Sequence, residues 1–194
     1  MIITYNGENY FKLQSGDTTI LIDPDNQRSF KGANLVINTV RPGLTDEPDI
    51  DEGIFWIDHQ GEYEVGGVRV QGWQTSYDKD KDKEKTLYRV DFEDMRFAIM
   101  GHLTQDPNPE ALEGLDNIDI MIIPGGGSPY LDEGKATKIA RQVEPVLIIP
   151  SLFKKNVDSF LKELGKSKCE MEEKIVLRKK DLREGTMDVR CLKY

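Results

Sequence analysis

The stretch Ala33-Asn34-Leu35-Val36-Ile37-Asn38-Thr39-Val40-Arg41-Pro42-Gly43-Leu44-Thr45 joins a short apolar run to a loop. The apolar run, Leu35–Ile37, predicts a β-strand. Four positions of the loop carry side chains that can fill space but offer no lone pair suited to a divalent metal ion, namely Val40, Pro42, Leu44 and Thr45. The loop after this strand is therefore unsuited to metal binding at these positions.

Short strand patterns surround this stretch in the first half of the chain. Asn6-Gly7 and Ser15-Gly16-Asp17 are turns of the hairpin type, and Gly66-Gly67 supplies another tight turn. The runs that predict strands are Met1–Tyr5, Tyr10–Leu13, Thr19–Ile22, Leu35–Ile37, Ile54–Ile57, Tyr63–Val65, Val68–Gln71, Leu87–Asp91 and Arg96–Met100.

The second half of the chain alternates strand and helix patterns. Apolar runs predict strands at Ile118–Ile123 and Val146–Ile149, and the spacing of apolar residues predicts a helix over Glu133–Val143. A second amphipathic helix begins near Val157 and ends at Gly165. This succession implies a parallel strand pair with right-handed crossovers. Two further strands close the chain, Lys174–Leu177 and Met187–Leu192.

Length and composition indicate one globular domain, residues 1–194, with 38% apolar and 31% charged residues. The formal net charge of -9 argues against a nucleic-acid partner, because an acidic surface gains nothing from phosphate backbones. The segment Asp78–Lys85 alternates in sign without an apolar residue, which predicts an exposed hairpin loop.

Targeting features and cysteine usage favour a cytoplasmic location. No apolar run approaches membrane-spanning length, and Met1–Tyr5 lacks the basic start of a signal peptide. We therefore expect no membrane partner. Cys169 and Cys191 are too far apart in sequence for a metal knuckle, and in this compartment we expect both to be reduced.

Several short motifs follow one another in a recognisable order: Ile20-Leu21-Ile22-Asp23-Pro24, Ala33–Thr39, Gly61-Glu62-Tyr63-Glu64-Val65-Gly66-Gly67, Gly101 after a strand, Ile122-Ile123-Pro124-Gly125-Gly126 and Glu144–Pro150. Together they resemble the metallo-β-lactamase fold superfamily, in particular its small bacterial branch related to ascorbate-6-phosphate lactonase. The resemblance covers nearly the whole chain. It implies an αββα sandwich of two mixed β-sheets with helices on the outer faces, and an active site at one edge of the sheets.

The same resemblance implies one or two metal ions held by a Thr-His-x-His-x-Asp-His loop, a later histidine, a bridging aspartate after a glycine and a last histidine after Ile-Pro. Thr39 matches the first residue of that loop. The positions that depart from the ligand pattern are Val40, Pro42, Leu44 and Thr45 in the loop, Tyr77 at the later histidine, His102 at the bridging aspartate and Leu152 at the last histidine.

No shift of the alignment restores a ligand set, because His59 and His102 are the only histidines in the chain. We therefore expect no catalytic residue, no metal site and no cofactor. Zinc or manganese at low occupancy is the alternative. The carboxylates between Asp46 and Glu52 leave a site for a hard cation conceivable.

Asp23 is interpreted as a structural residue, which in the family supports the neighbouring metal loop through hydrogen bonds. His102 is interpreted as an ordinary strand-end histidine in preference to a general base, because no nucleophile or orienting partner is identified in the sequence.

The resulting expectation is a catalytically inactive protein that acts as a binding or assembly module, with an unknown protein partner or a second copy of itself. The alternative is a metal-dependent hydrolase of a lactone or phosphoester that uses unfamiliar ligands, such as His102 with Tyr77 and nearby carboxylates. A nucleic-acid-processing enzyme is a third alternative, which the acidic charge and the missing ligands weaken.

Overall fold

Two β-sheets share one apolar core in the computed structural model of the chain, which describes residues 1–26, 30–45, 53–78, 83–153, 157–183 and 185–194. The strands are β1 (Ile2–Tyr5), β2 (Phe11–Ser15), β3 (Thr18–Ile22), β4 (Leu35–Ile37), β5 (Val40–Arg41), β6 (Phe55–Ile57), β7 (Gly61–Val65), β8 (Val68–Asp78), β9 (Lys83–Phe92), β10 (Met95–Ile99), β11 (Ile120–Pro124), β12 (Leu147–Ser151), β13 (Met171–Glu172), β14 (Ile175–Val176), β15 (Asp188–Val189) and β16 (Cys191–Leu192). The helices are α1 (Pro109–Glu113), α2 (Glu133–Val143) and α3 (Asp158–Glu163).

Within the described ranges, the first sheet has the strand order β14-β1-β2-β3-β4-β6. Strands β1, β2 and β3 form an antiparallel meander, while β3, β4 and β6 run parallel, with Ile22 opposite Ile37 and Ile37 opposite Ile57. All three residues of β4 are buried, as a strand covered on both faces requires. The sheet is therefore mixed, as the resemblance implies.

The second sheet has the order β15-β12-β11-β10-β9-β8-β7 among the described strands, and β5 pairs with β9 beside this path. It is antiparallel from β7 to β10 and parallel from β10 to β15. The predicted parallel pair is confirmed, because Ile120 of β11 lies opposite Leu147 of β12.

The core between the sheets contains buried side chains from both, for example Phe11 and Ile20 from the first sheet and Val90 and Phe97 from the second. A separate apolar cluster joins Ala136, Ile139 and Ala140 of α2 to the outer face of the second sheet. Helix α2 begins where Asp132 Oδ1 accepts a hydrogen bond from Lys135 N at 2.9 Å. Its bounds agree with the predicted helix, Glu133–Val143.

The outer face of the first sheet differs from the second within the part of the chain that the structure describes. There the buried side chains of Tyr10, Leu21 and Val36 are covered by Phe30, with Trp56 packed beside it at a ring-centroid distance of 5.3 Å. Phe30, from the connection between β3 and β4, and Trp56 of β6 cover this face, whereas α1, α2 and α3 contribute no side chain to this cluster. No helix in the described ranges has the length and apolar content that a membrane crossing needs.

Two local expectations are wrong. Cys169 and Cys191 form a disulfide, because the parallel pairing of β13 with β16 brings the two cysteines to a Cα–Cα distance of 5.9 Å. The predicted hairpin loop over Asp78–Lys85 is also too long at both ends. Asp78 ends β8 and Lys83 begins β9, and the four residues between them lie outside the described ranges.

Candidate functional site

The candidate site lies where four strands end at the same edge of the two sheets. Asp23 follows β3, Thr39 follows β4, His102 follows β10 and Leu152 follows β12. Because β3 and β4 are parallel neighbours, as are β10, β11 and β12, the carboxyl ends of these strands meet at one edge. The topology therefore gathers residues that are more than a hundred positions apart in sequence.

Asp23 is the centre of a buried hydrogen-bond network. Its side chain is fully buried, and Oδ1 accepts a hydrogen bond from Thr39 N at 2.6 Å. Its other oxygen, Oδ2, accepts from Thr39 Oγ1 at 2.5 Å and from Asn9 Nδ2 at 2.6 Å. Three donors therefore meet one carboxylate, which fixes the start of the loop that follows β4.

His102 extends this network towards the solvent. Its Nδ1 lies 2.8 Å from Thr39 Oγ1 and 3.5 Å from Asp23 Oδ2. Since the Thr39 hydroxyl donates its hydrogen to Asp23, it accepts a hydrogen from His102 Nδ1. In the neutral ring this arrangement places the lone pair on Nε2, which is the ring nitrogen left for a molecule outside the network.

The position of Gly101 explains how His102 reaches this network. Gly101 has φ +57, and a Cβ at this position would collide with Cβ, Oγ1 and Cγ2 of Thr39. A glycine therefore allows β10 to end close against Thr39.

Burial lowers the pKa of the His102 imidazole below its usual value. Asp23 and, more weakly, Glu8 raise this pKa, whereas the cations Lys85 and Lys83 lower it further. Because desolvation is the largest of these effects, the folded protein holds a neutral imidazole at neutral pH.

The lowered pKa predicts a loss of stability on acidification. As the pH falls below 6.5, the unfolded chain binds a proton at this imidazole while the folded chain does not, so the free energy of unfolding decreases. We expect this decrease, at most about 1.4 kcal/mol per pH unit, to be smaller in His102→Gln. Urea unfolding at several pH values between 7.5 and 5.5 measures both slopes. Parallel slopes for the two proteins would contradict this assignment.

The positions that depart from the ligand pattern do not all come together. Val40, Leu44, Tyr77 and His102 line one cavity of about 430 Å³. Pro42 and Thr45 line a neighbouring cavity of about 730 Å³, which Tyr77 also borders.

Leu152 is buried and lines neither of these cavities. Its backbone has φ +54, and its N–H donates to Glu8 O at 2.8 Å. A Cβ on Gly126 would collide with the Leu152 carbonyl oxygen and with Phe153 Cα. The glycine-rich turn after β11 therefore serves close backbone packing against the end of β12.

The residues present do not fit a catalytic zinc ion. In the described part of the chain, no three side chains of the His, Cys, Asp or Glu type lie close enough together to hold a metal. Zinc in proteins takes three or four such ligands, and His102 already directs one nitrogen at Thr39. The proposed carboxylate site between Asp46 and Glu52 lies outside the described residues.

Sequence reasoning assigned no role to several residues that the structure places at this site. Asn9 reaches the Asp23 carboxylate, and Lys83, Lys85 and Tyr130 line the same cavity as His102. Lys83 and Lys85 are two residues apart, so they point to the same face of a strand. That spacing is a usable signal, although the alternation of charge in this segment predicts an exposed loop.

Comparisons with known proteins agree with this architecture. A family model described as a beta-lactamase superfamily domain matches residues 2–151. Among curated proteins, none matches the chain at a significant level.

Solved structures share the fold over nearly the whole chain. One is a candidate Zn-dependent hydrolase of the metallo-β-lactamase superfamily from Thermotoga maritima, with 22% identity, 99% of each chain covered and a TM-score of 0.77. The metallo-β-lactamase fold protein YhfI from Bacillus subtilis shares 11% identity over 96% of this chain and 90% of its own, with a TM-score of 0.66. Igni18, a metallo hydrolase from Ignicoccus hospitalis, shares 14% identity over 91% of this chain and 99% of its own, with a TM-score of 0.65.

Such low identities show the fold alone, whereas the family model matches well over half of the chain. The metallo-β-lactamase fold with its mixed β-sheets and the resemblance found in the sequence are both confirmed. This chain belongs to the metallo-β-lactamase superfamily.

Proposed function

We propose that this protein is a catalytically inactive member of the superfamily that acts as a metal-free binding module. One observation carries the proposal: the ligand positions that reach the cavity are Val40, Leu44, Tyr77 and His102, and only two of these have a donor atom. Among the described residues, the fold keeps the cavity without a set of side chains that would bind a metal.

Coordination chemistry supports the loss of the metal. A divalent zinc ion needs at least three protein donors in a tetrahedral arrangement. Val40 and Leu44, the loop positions that line this cavity, supply aliphatic carbon. His102 has one ring nitrogen engaged by Thr39 Oγ1 at 2.8 Å. A single remaining imidazole nitrogen with a phenol is too small a ligand set for tight binding at neutral pH.

The network behind the cavity supports a structural role for its buried polar residues. Asp23 and Thr39 are fully buried and satisfy each other's hydrogen bonds. Neither side chain lines the cavity, so both act as scaffold for the loop and for His102. The network supports a concave site. A concave site suits the binding of a small molecule, whereas assembly would use a flat apolar face, so the arrangement favours a binding role.

The first test is the response of the folded protein to zinc. A site of micromolar affinity would stabilise the protein by about 2.7 kcal/mol at a hundredfold excess of zinc over its dissociation constant. We expect no such increase in the melting temperature, and well below one zinc ion per chain in protein purified without chelator. Elemental analysis and thermal unfolding with and without EDTA measure the two quantities.

The variant His102→Gln is the control for zinc bound elsewhere on the surface. Any stabilisation that persists in this variant arises outside the cavity. Stoichiometric zinc in the natural protein that is lost in His102→Gln, together with hydrolysis of a phosphodiester or lactone, would overturn the proposal.

The second candidate function is a metal-dependent hydrolase of a lactone or phosphoester with unfamiliar ligands. It is favoured by the proximity of His102 and Tyr77, which line the same cavity, and by relatives described as Zn-dependent or metallo hydrolases. Zinc or manganese would then be required, and Tyr77→Phe and His102→Gln would each abolish activity while leaving the fold intact.

A further inference from the structure

We propose that the disulfide between Cys169 and Cys191 is a redox-sensitive link between β16 and the turn that carries Asn9 into the candidate site. Its reduction by a dithiol loosens this turn, and with it the hydrogen bond from Asn9 to Asp23, while the rest of the fold stays intact. The proposal concerns regulation of the site and does not depend on whether the cavity binds a metal or another ligand.

The disulfide supplies much of the attachment between β13 and β16. These two strands pair through two residues each, with Met171 opposite Cys191. So short a strand pair is marginal in water without further support. The support here is the disulfide together with a hydrogen bond of 2.7 Å between Arg190 Nε and Glu172 Oε1. Reduction therefore removes the covalent part of a small assembly that has few other contacts.

The effect of reduction is confined to β16 and the residues that follow it. Immediately before β16, Arg190 N donates a hydrogen bond to Ile148 O of the second sheet at 3.1 Å. This backbone contact does not involve the cysteines and remains after reduction. Leu192 is buried in the core between the sheets, so the reduced segment still returns to its place. We therefore expect more frequent opening of β16 and no unfolding of the sheets.

The Tyr194 ring connects β16 to the turn formed by residues 6–10. Its centroid lies 5.8 Å from that of Tyr5 in an edge-to-face arrangement. A Cβ added to Gly7 would lie 3.4 Å from the Tyr194 ring, so the ring lies against this turn. Tyr5 Oη in turn donates a hydrogen bond to Glu8 O at 2.8 Å. Displacement of β16 therefore removes a packing contact from both ends of the turn.

The same turn reaches the candidate site through two hydrogen bonds. Glu8 O accepts from Leu152 N at 2.8 Å, and Asn9 Nδ2 donates to Asp23 Oδ2 at 2.6 Å. Asn9 is fully buried, so its position depends on the packing of the turn around it. An unbroken series of contacts thus leads from Cys191 through Tyr194 to the Asp23 carboxylate.

The chemistry of reduction begins at Cys169, because its side chain is partly exposed while Cys191 is fully buried. A thiolate of the dithiol bonds to Cys169 Sγ, the bond between the two cysteine sulfurs breaks, and Cys191 leaves as a thiolate that takes up a proton. The second thiol of the reductant attacks the mixed disulfide and releases Cys169 as a thiol. Two electrons and two protons pass to the protein, and the dithiol becomes a disulfide.

The experiment measures amide hydrogen exchange by NMR in the oxidised protein and after reduction with dithiothreitol. Lys193 N–H, which donates to Glu172 O, reports on the pairing of β13 with β16, and Leu152 N–H reports on the turn. We expect reduction to speed exchange about tenfold at Lys193, a part of what closing a loop of 22 residues contributes. At Leu152 we expect about fivefold, as for coupled sites, and at Ala136 of α2 no change.

Two variants separate the link from a general effect of the reductant. Tyr194→Ala removes the ring that contacts the turn, so reduction should still speed exchange at Lys193 but leave Leu152 unchanged. Cys169→Ser cannot form the disulfide. It should show the fast exchange of the reduced protein at once, without any response to dithiothreitol.

Several results would overturn the proposal. Two free thiols in protein purified in air would show that the disulfide does not form. Unchanged exchange at Lys193 on reduction would show that the disulfide does not hold β16, and unchanged exchange at Leu152 would show that the turn is not coupled to it. An equal response at Leu152 in Tyr194→Ala would remove the assigned link. Equal acceleration at Ala136 would indicate global destabilisation in place of a local device.

Discussion

Replacing Gly101 by alanine is expected to lower the free energy of unfolding by about 3 kcal/mol. At φ +57 a non-glycine residue is strained by about 1 kcal/mol, and overpacking in a filled interior adds about 1–3 kcal/mol. The added methyl group would collide with the Thr39 side chain, which is fully buried. The Thr39 hydroxyl and backbone N–H each donate a hydrogen bond to the Asp23 carboxylate. Thr39 cannot move aside without breaking that network.

Gly66→Ala is the matched control, because Gly66 has φ +56 and no heavy atom within 4 Å of an added Cβ. Both variants carry the same backbone strain, so the difference between them isolates the collision with Thr39. Urea unfolding measures the free energy of unfolding of each. Equal losses in the two variants would show that Gly101 is present for its backbone angle alone.

Removing the Asp23 carboxylate is expected to have the largest effect on stability, a loss of about 4 kcal/mol in Asp23→Ala. Asn9 Nδ2, Thr39 N and Thr39 Oγ1 would each lose an acceptor in a buried setting, at about 1–3 kcal/mol for an unsatisfied group. Relaxation and entering water reduce the sum below three full penalties.

Two variants separate the contributions at Asp23. Asp94→Ala is the control for backbone strain, because Asp94 is exposed and has φ +59, and it is expected to cost about 1 kcal/mol. Asp23→Asn keeps the shape and one acceptor oxygen, so its loss should lie between the other two. If Asp23→Ala is no more destabilising than Asp94→Ala, Asp23 does not hold the loop.

The strand and helix patterns predicted most of the fold because its apolar periods are regular. The helix Glu133–Val143 agrees with α2 to the residue, and the apolar run Leu35–Ile37 is β4. The order of strand, helix, strand also predicted the parallel pairing of β11 with β12. Local pattern and tertiary structure agree in these segments, so the sequence suffices there.

Contacts between distant segments could not be predicted in the same way. Cys169 and Cys191 are 22 positions apart, and only the pairing of β13 with β16 brings them together. Charge alternation likewise carries no information about which face of a strand meets a cavity. The alternation therefore predicts an exposed loop for Lys83 and Lys85, which in the structure line the candidate site.

The candidate site was predicted in position but not in detail. The motifs placed Asp23, Thr39 and His102 at strand ends, and the topology brings all three within hydrogen-bond distance. Thr39 links Asp23 to His102 because Gly101 lets the chain pass close to Thr39. This close approach is a property of the packed structure. The expectation that no ligand set is present rests on residue types alone, because it concerns atoms that the side chains do not contain.

Nitrogen-15 NMR of the His102 imidazole, recorded before and after addition of one equivalent of zinc, tests the central claim most directly. His59 is the other histidine of the chain, and His59→Gln assigns the signals. We expect a neutral ring protonated at Nδ1, with both nitrogen shifts unchanged by zinc. A saturable one-to-one shift of His102 Nε2, weakened by Tyr77→Phe, would contradict the account and identify a working metal site.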